Sequence, residues 1–246
     1  MASVPSRPAS MLPLVLDSVG FVAGGRHIIA GITCELAAGP RTVVLGPNGA
    51  GKSVLLRLCH GLLVPSSGRI EWRGAAGLPR PRRQAMVFQR PVMLRRSVLA
   101  NVTYALSLAG IAASERSDRA AQALRAVGLL AVARQPARML SGGEQQRLAL
   151  ARAWALEPEV FFLDEPTANL DPAAAREVEA IVQRIHAGGT KIVMTTHNLG
   201  QARRLADEIL FIDSGRLIER APVERFFSQP VSPQADAFIK GELPWN

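Results

Sequence analysis

Eight consecutive residues, Gly46, Pro47, Asn48, Gly49, Ala50, Gly51, Lys52 and Ser53, constrain this chain more than any other feature. They match the pattern Gly-x4-Gly-Lys-Ser/Thr. The β-branched run Thr42–Leu45 precedes them directly, and an apolar helix pattern carrying Leu55, Leu56 and Leu58 comes next. A strand-to-helix turn of this composition is where glycine-rich backbone wraps around phosphate. The glycines let N–H groups face inward, and the helix start, out to Val54, adds its positive dipole. Lys52 can reach the outer phosphates as a point charge, and the Ser53 hydroxyl suits Mg²⁺. The pattern therefore predicts a nucleoside triphosphate site.

The rest of the chain supplies neighbours for that unit. Apolar runs at residues 160–163, 192–196 and 209–212 read as further strands of a mostly parallel sheet. Residues 173–187 carry Val178, Ile181, Val182 and Ile185 on one helical face. Two regions break this α/β rhythm. Residues 14–38 and 68–88 read as short strands with turns, a small antiparallel patch. Residues 90–155 are rich in Ala, Leu and Arg without strand signals, and read as an inserted helical subdomain. Residues 221–246 look like a closing helix or two with proline breaks. The expected organisation is a lead over residues 1–13, disordered, and then one domain over 14–246.

Composition narrows the class further. Of the 246 residues 48% are hydrophobic, enough for a core without staples, which excludes a disordered chain. Cys34 and Cys59 have no metal-ligand or redox spacing, so neither a disulfide scaffold nor a Cys-rich zinc site is expected, and a reducing compartment is. The opening segment, with prolines at 5, 8 and 13, lacks the apolar run of a secretory signal. Residues 97–114 are free of charge, but Asn101, Thr103, Tyr104, Ser107 and Gly110 interrupt them, so a protein-buried helix is expected rather than a membrane span. The net charge of +9 fits an anionic partner without choosing among nucleotide, lipid and nucleic acid.

Three further segments carry chemistry. Asp164 and Glu165 end the run at 160–163, so both carboxylates fall at the carboxyl edge of a buried strand, where open α/β sheets bind ligands. Asp164 is placed to hold Mg²⁺ through water, and Glu165 to polarise an attacking water as general base. His197 comes right after the run at 192–196, at the same edge, and is placed to touch a γ-phosphate. Ser141 and Glu144 form a Ser-x-x-Glu capping box at a helix start. A cap does not need Gly142 and Gly143 in its first turn, since each weakens a helix by about 1 kcal/mol relative to Ala. Bare N–H groups there make a second anion site, far from Lys52 along the chain. One nucleotide does not easily use both from a single chain, which hints at a dimer.

Together these residues resemble the ATP-binding subunit of ABC transporters, over about residues 14–243. By that likeness residues 46–53 are Walker A, Gln89 the Q-loop glutamine, 140–145 the signature, 160–165 Walker B, 168–171 the D-loop and His197 the switch histidine. The resemblance implies a RecA-like P-loop core with an antiparallel β subdomain and a helical subdomain. It implies ATP and Mg²⁺ as cofactors, with Ser53, Gln89 and Asp164 toward the metal and Lys52, Gln89, Glu165 and His197 in catalysis. Two copies would close head to tail, Lys52 of one and Ser141 and Gly143 of the other gripping one triphosphate. A transmembrane permease would dock beside Gln89, where residues 90–96 offer apolar and cationic side chains. A periplasmic or lipid-anchored substrate-binding protein completes such complexes. The chain would then sit in the cytoplasm, peripheral on the inner face of the membrane.

Two positions depart from the family pattern. Ala23 falls where an aromatic usually stacks on adenine, a contact worth about 1–3 kcal/mol, so weaker ATP affinity or poorer discrimination from GTP is expected unless Phe21 shifts to compensate. Asn198 stands where many importers have Asp. The chain looks most like ATPase subunits of bacterial oxyanion importers, the tungstate type first, then phosphate and molybdate. Polar amino-acid importers and small exporters are the alternatives. A rival class, ABC ATPases acting on nucleic acid or ribosomes, would suit the positive charge, but this sequence shows neither a sustained heptad nor a tandem repeat. A non-hydrolysing assembly module is opposed by Glu165 and His197. No nucleic-acid partner is expected.

Overall fold

Alternating apolar residues and a Gly24-Gly25 turn, both glycines at positive φ, set up the first hairpin, β1 (Leu14–Ala23) with β2 (Arg26–Leu36). The structure is a computed structural model and describes residues 10–74 and 83–242. The chain then forms β3 (Thr42–Leu45), the phosphate-loop turn and α1 (Lys52–His60) before β4 (Ser67–Trp72), which adds to the free edge of β1. The order β2-β1-β4 is antiparallel throughout, as expected for the small patch.

The second sheet is built around β3, whose four residues are all buried. Next along the chain come β5 (Gln84–Val87), then the helices α2 (Val98–Leu108), α3 (Ala113–Ala126) and α4 (Gly142–Trp154). After them lie β6 (Val160–Asp164), α5 (Pro172–Ala187), β7 (Lys191–Thr196), α6 (Leu199–Leu205) and β8 (Glu208–Asp213). The chain closes with β9 (Arg216–Pro222), α7 (Val223–Ser228) and α8 (Pro233–Lys240). The strand order is β5-β6-β7-β3-β8-β9, parallel except for β9 against β8. Every residue of β6 and β7 is buried, which is why these strands read as continuous apolar runs.

The structure corrects two expectations. Residues 84–87 do not belong to the antiparallel patch; they pair parallel with residues 160–163 of β6, turning Ala85 and Val87 into the main core. The expected lead is also not disordered at residues 10–13. Its residues 1–9 lie outside the described residues, but at 10–13 the chain is anchored: Met11 N–H donates to both Glu159 carboxylate oxygens, at 3.0 and 3.1 Å, and Met11 and Leu12 are buried. Residues 75–82 of the expected patch and 243–246 of the closing tail also fall outside the described residues.

Helices α2, α3 and α4 pack on one another through Val98, Val102, Leu106, Leu124 and Leu148. Within the uncharged stretch, Ser97 Oγ caps α2 by accepting from Ala100 N–H at 3.1 Å. Asn101 is fully buried, accepts from Leu94 N–H at 3.0 Å and donates to Ser97 C=O at 2.9 Å, clasping the preceding loop onto the helix. Among the described residues no helix is long and apolar enough to cross a membrane. Val178, Ile181, Val182 and Ile185 of α5 are buried against the sheet, as their spacing predicts. Neither cysteine is paired; burial raises the Cys34 thiol to about 11.

Candidate active site

The carboxyl ends of β6, β7 and β3 are neighbours, so the segments that leave them meet. After β3 the backbone of residues 46–51 curls over the start of α1. Gly46 passes so close to β8 that a Cβ would lie 2.0 Å from the Ile212 carbonyl oxygen. Gly51, at φ 96°, takes a left-handed conformation to enter α1. Pro47, Asn48 and Gly49 form the outer part of the loop, and Asn48 and Gly49 are exposed. Ala50 is buried, its carbonyl accepting from Gly215 N–H at 3.1 Å. Ser53 and Val54 continue into the first turn of α1.

Lys52 is only 5% exposed, yet it carries an ammonium. Its Nζ donates to the carbonyls of Gly46 at 2.9 Å and Pro47 at 3.0 Å, and stands 3.5 Å from Glu165 Oε1. Burial pulls its pKa down, and the charges of Glu165 and Asp164 oppose that. Ser53 Oγ donates to Asp164 Oδ1 at 2.6 Å, and Thr195 Oγ1 donates to the same oxygen at 2.9 Å. Thr195 Oγ1 also accepts from Glu165 N–H at 2.9 Å. Glu165 sits at φ 43°, a strained conformation for a non-glycine residue, just past a buried strand. His197 Nδ1 is 3.1 Å from Glu165 Oε2.

Lys52, Ser53, Asp164, Glu165 and His197 are thus one connected constellation. It holds a cation for phosphate, a hydroxyl and carboxylate side by side, and a carboxylate touching an imidazole. Hydroxyl and carboxylate oxygens are the hard donors Mg²⁺ takes, alongside waters and phosphates. Gln89 lies exposed two residues past the end of β5, the strand that neighbours β6. The expected second anion element, at the start of α4, lies on a separate segment. Ser141 and Glu144 make the full capping box, Ser141 N–H donating to Glu144 Oε2 at 2.8 Å and Glu144 N–H to Ser141 Oγ at 3.4 Å. Those bonds from Ser141 hold the Glu144 carboxyl below its usual range. Gly142 is exposed and Gly143 half-buried beside it, and α4 packs chiefly on α2, α3, α5 and β5. Asp171 caps α5, accepting from Ala173 and Ala174 N–H at 2.9 and 3.0 Å.

Sequence reasoning missed Thr195, the hydroxyl that ties Asp164 to the Glu165 backbone, because inside a strand run a threonine reads simply as a β-branched residue. It also missed Gln201, 2% exposed, whose Nε2 donates at 2.6 Å to Thr167 just past Glu165. Gln201 sits in α6, four residues after His197, so this bond joins the loops that carry the acid and the histidine. Ala23 is exposed at the end of β1, while Phe21 packs against the apolar cluster of Leu14, Val19 and Ile29. That packing opposes a shift of Phe21 outward.

A family model described as ABC transporter matches residues 29–168. Among similar proteins, the phosphate import ATP-binding protein PstB 2 of Natronomonas pharaonis is 37% identical, covering 94% of this chain and 87% of that one. The tungstate uptake system ATP-binding protein TupC of Peptoclostridium acidaminophilum is 38% identical over 80% of this chain and 92% of its own. The methionine import ATP-binding protein MetN of Caulobacter vibrioides is 36% identical, covering 89% and 69%. CbiO1 of Clostridium perfringens, part of the ABC transporter complex CbiONQ, superposes with a TM-score of 0.78 at 28% identity, over 88% of this chain and 90% of that one.

Proposed function

The chain belongs to the ABC transporter family as an ATP-binding ATPase subunit, and from that premise we propose that it powers uptake of an oxyanion such as tungstate by closing as a head-to-tail dimer under a membrane permease. What supports the dimer is that two helix starts suited to anions lie on different segments of one fold: the loop around Lys52 between β3 and α1, and the capped start of α4 at Ser141. ATP held by the first would be shared with the second element of another copy.

In this reading residues 46–54 cradle the phosphates with their N–H groups. Lys52 leaves the carbonyls of Gly46 and Pro47 to take the γ-phosphate. Ser141, Gly142, Gly143 and Glu144 of the second copy close on the same triphosphate. Glu165, oriented by Thr195 and His197, accepts the proton of the attacking water. His197 and Lys52 stabilise charge on the phosphoryl group as it leaves. Ser53 and Asp164, with Gln89, would hold Mg²⁺, which when bound supplies positive charge at the phosphates. Hydrolysis removes the anion that bridges two basic surfaces, and the dimer opens.

The permease would meet the chain beside Gln89. There a cavity of about 450 Å³ opens between β5 and the helices, lined by Phe88, Val92, Tyr104, Leu108 and Arg152 among others. Phe88, Val92 and Leu108 are exposed apolar side chains, as an unfilled docking groove requires. PstB 2 and TupC are named for oxyanion import, which supports that class of cargo, delivered by a substrate-binding protein outside the membrane, while MetN, named for methionine import, is the competing reading. The complex would place this chain on the cytoplasmic face. Reconstitution with the permease tests the cargo: tungstate-loaded binding protein should stimulate ATP turnover. Stimulation by methionine and not by tungstate, phosphate or molybdate overturns the oxyanion reading.

A further inference from the structure

Gly142 and Gly143 are adjacent at the start of α4, and the fold treats them differently. A Cβ on Gly142 would find only Leu170 Cδ2, at 4.0 Å, an ordinary contact. A Cβ on Gly143 would lie 2.8 Å from the Cβ of Ala174 and 3.9 Å from its Cα. Carbon atoms pack at about 3.5–4.0 Å, so a methyl at Gly143 would force the two segments roughly 1 Å apart. The missing side chain at Gly143 therefore faces a neighbouring helix, and phosphate access alone does not explain it.

Ala174 is in the first turn of α5, and its N–H is one of the two donors that Asp171 accepts. One turn further along both helices, Arg147 Nη1 pairs with Glu177 Oε2 at 2.8 Å. Helices α4 and α5 thus begin side by side, spaced by glycine against alanine and tied by an ion pair. Displacement at this contact goes straight into the two caps, Ser141 and Asp171, because both helices start there.

We infer that Ala174 is a positioning residue. Its contact with Gly143 sets the separation between the Ser141 turn and the loop ending at Asp171, so that both present themselves to a nucleotide as one rigid unit. The part played by the nucleotide rests on the two-copy reading above; the contact does not. A misplacement of about 1 Å in a catalytic constellation can cost on the order of a hundredfold in rate.

Five full-length chains test this: wild type, Gly143→Ala, Ala174→Gly, the double variant and Gly142→Ala, each measured for ATP turnover with Mg²⁺ and for thermal midpoint. Gly143→Ala should lower turnover at least tenfold and lower the midpoint. Adding Ala174→Gly should restore turnover threefold or more and raise the midpoint again. Gly142→Ala, with room for its methyl, should not lower the midpoint and, by helix propensity, should raise it. A double variant as inactive as Gly143→Ala, or a Gly143→Ala chain with wild-type turnover, overturns the inference. A wild-type chain that hydrolyses ATP without ever pairing removes the two-copy reading alone, and the comparison of the five chains still decides the contact.

Discussion

Lys52 Nζ lies 3.5 Å from Glu165 Oε1 while it donates to the carbonyls of Gly46 and Pro47. In the proposed function this cation would take phosphate and this carboxylate would take water, and here the two hold each other. The pair keeps a buried ammonium and a nearly buried carboxylate compensated, since either alone would be costly in this setting. In the proposed mechanism a γ-phosphate would compete for Lys52 and release Glu165. Replacing Lys52 by Met removes a charge-assisted contact worth about 1.5–3 kcal/mol. ATP affinity should fall roughly ten- to a hundredfold, read by titration with a fluorescent nucleotide, and unchanged affinity would contradict the assignment.

Thr195→Val keeps the shape of the side chain and deletes the hydroxyl that touches both Asp164 Oδ1 and Glu165 N–H. Turnover should drop about five- to tenfold, given that a single positioning hydrogen bond contributes about 1–1.5 kcal/mol. Nucleotide affinity should change by less than about threefold. Steady-state kinetics with a separate binding titration separate the two effects.

His197→Ala removes the imidazole 3.1 Å from Glu165 Oε2. Acid–base and positioning groups of this kind contribute about a hundredfold or more. The expected outcome is a loss of that size in turnover with ATP binding retained, and a variant that keeps near-normal turnover would remove His197 from the catalytic set.

Asn101 is a structural prediction. Replacing this fully buried side chain with Leu strands Leu94 N–H and frees the loop at residues 90–96 from α2. The cost should be about 1–3 kcal/mol, visible as a lower midpoint in urea. Coupling to a permease that docks on that loop should suffer more than basal ATP hydrolysis.

Lys191 gives a pH signature. It is 2% exposed, and burial first of all, opposed by Glu208, lowers its pKa from 10.5 to about 8. Between those values the unfolded chain holds a proton that the folded chain has released, so stability rises with pH across about 8 to 10.5. Below that window both forms are protonated and the contribution is flat. Lys191→Met should remove this rise, measured as unfolding free energy against pH; an unchanged slope would show that other groups produce it.

Much of the core and of the site is legible in the sequence, for a physical reason. Strands β3, β6 and β7 are buried on both faces, so they leave unbroken apolar runs, and the candidate site residues fall immediately after such runs. The capping box at Ser141 and Glu144 is local chemistry and reads directly. What the sequence conceals are relations between distant segments. Residues 84–87 carry only four positions, half of them partly buried, and nothing in them says which sheet they join. The anchoring of Met11 depends on Glu159, and the bareness of Gly143 depends on Ala174. Thr195 looks like any β-branched strand residue until Asp164 is placed beside it.

Pairing around ATP is best measured by light scattering on Glu165→Gln, which keeps the cradle and lacks the base. With saturating ATP and Mg²⁺, closure predicts a particle of twice the 26.4 kDa chain mass, returning to monomer when nucleotide is removed. Monomer mass under saturation, both alone and alongside the permease, would contradict a shared nucleotide site.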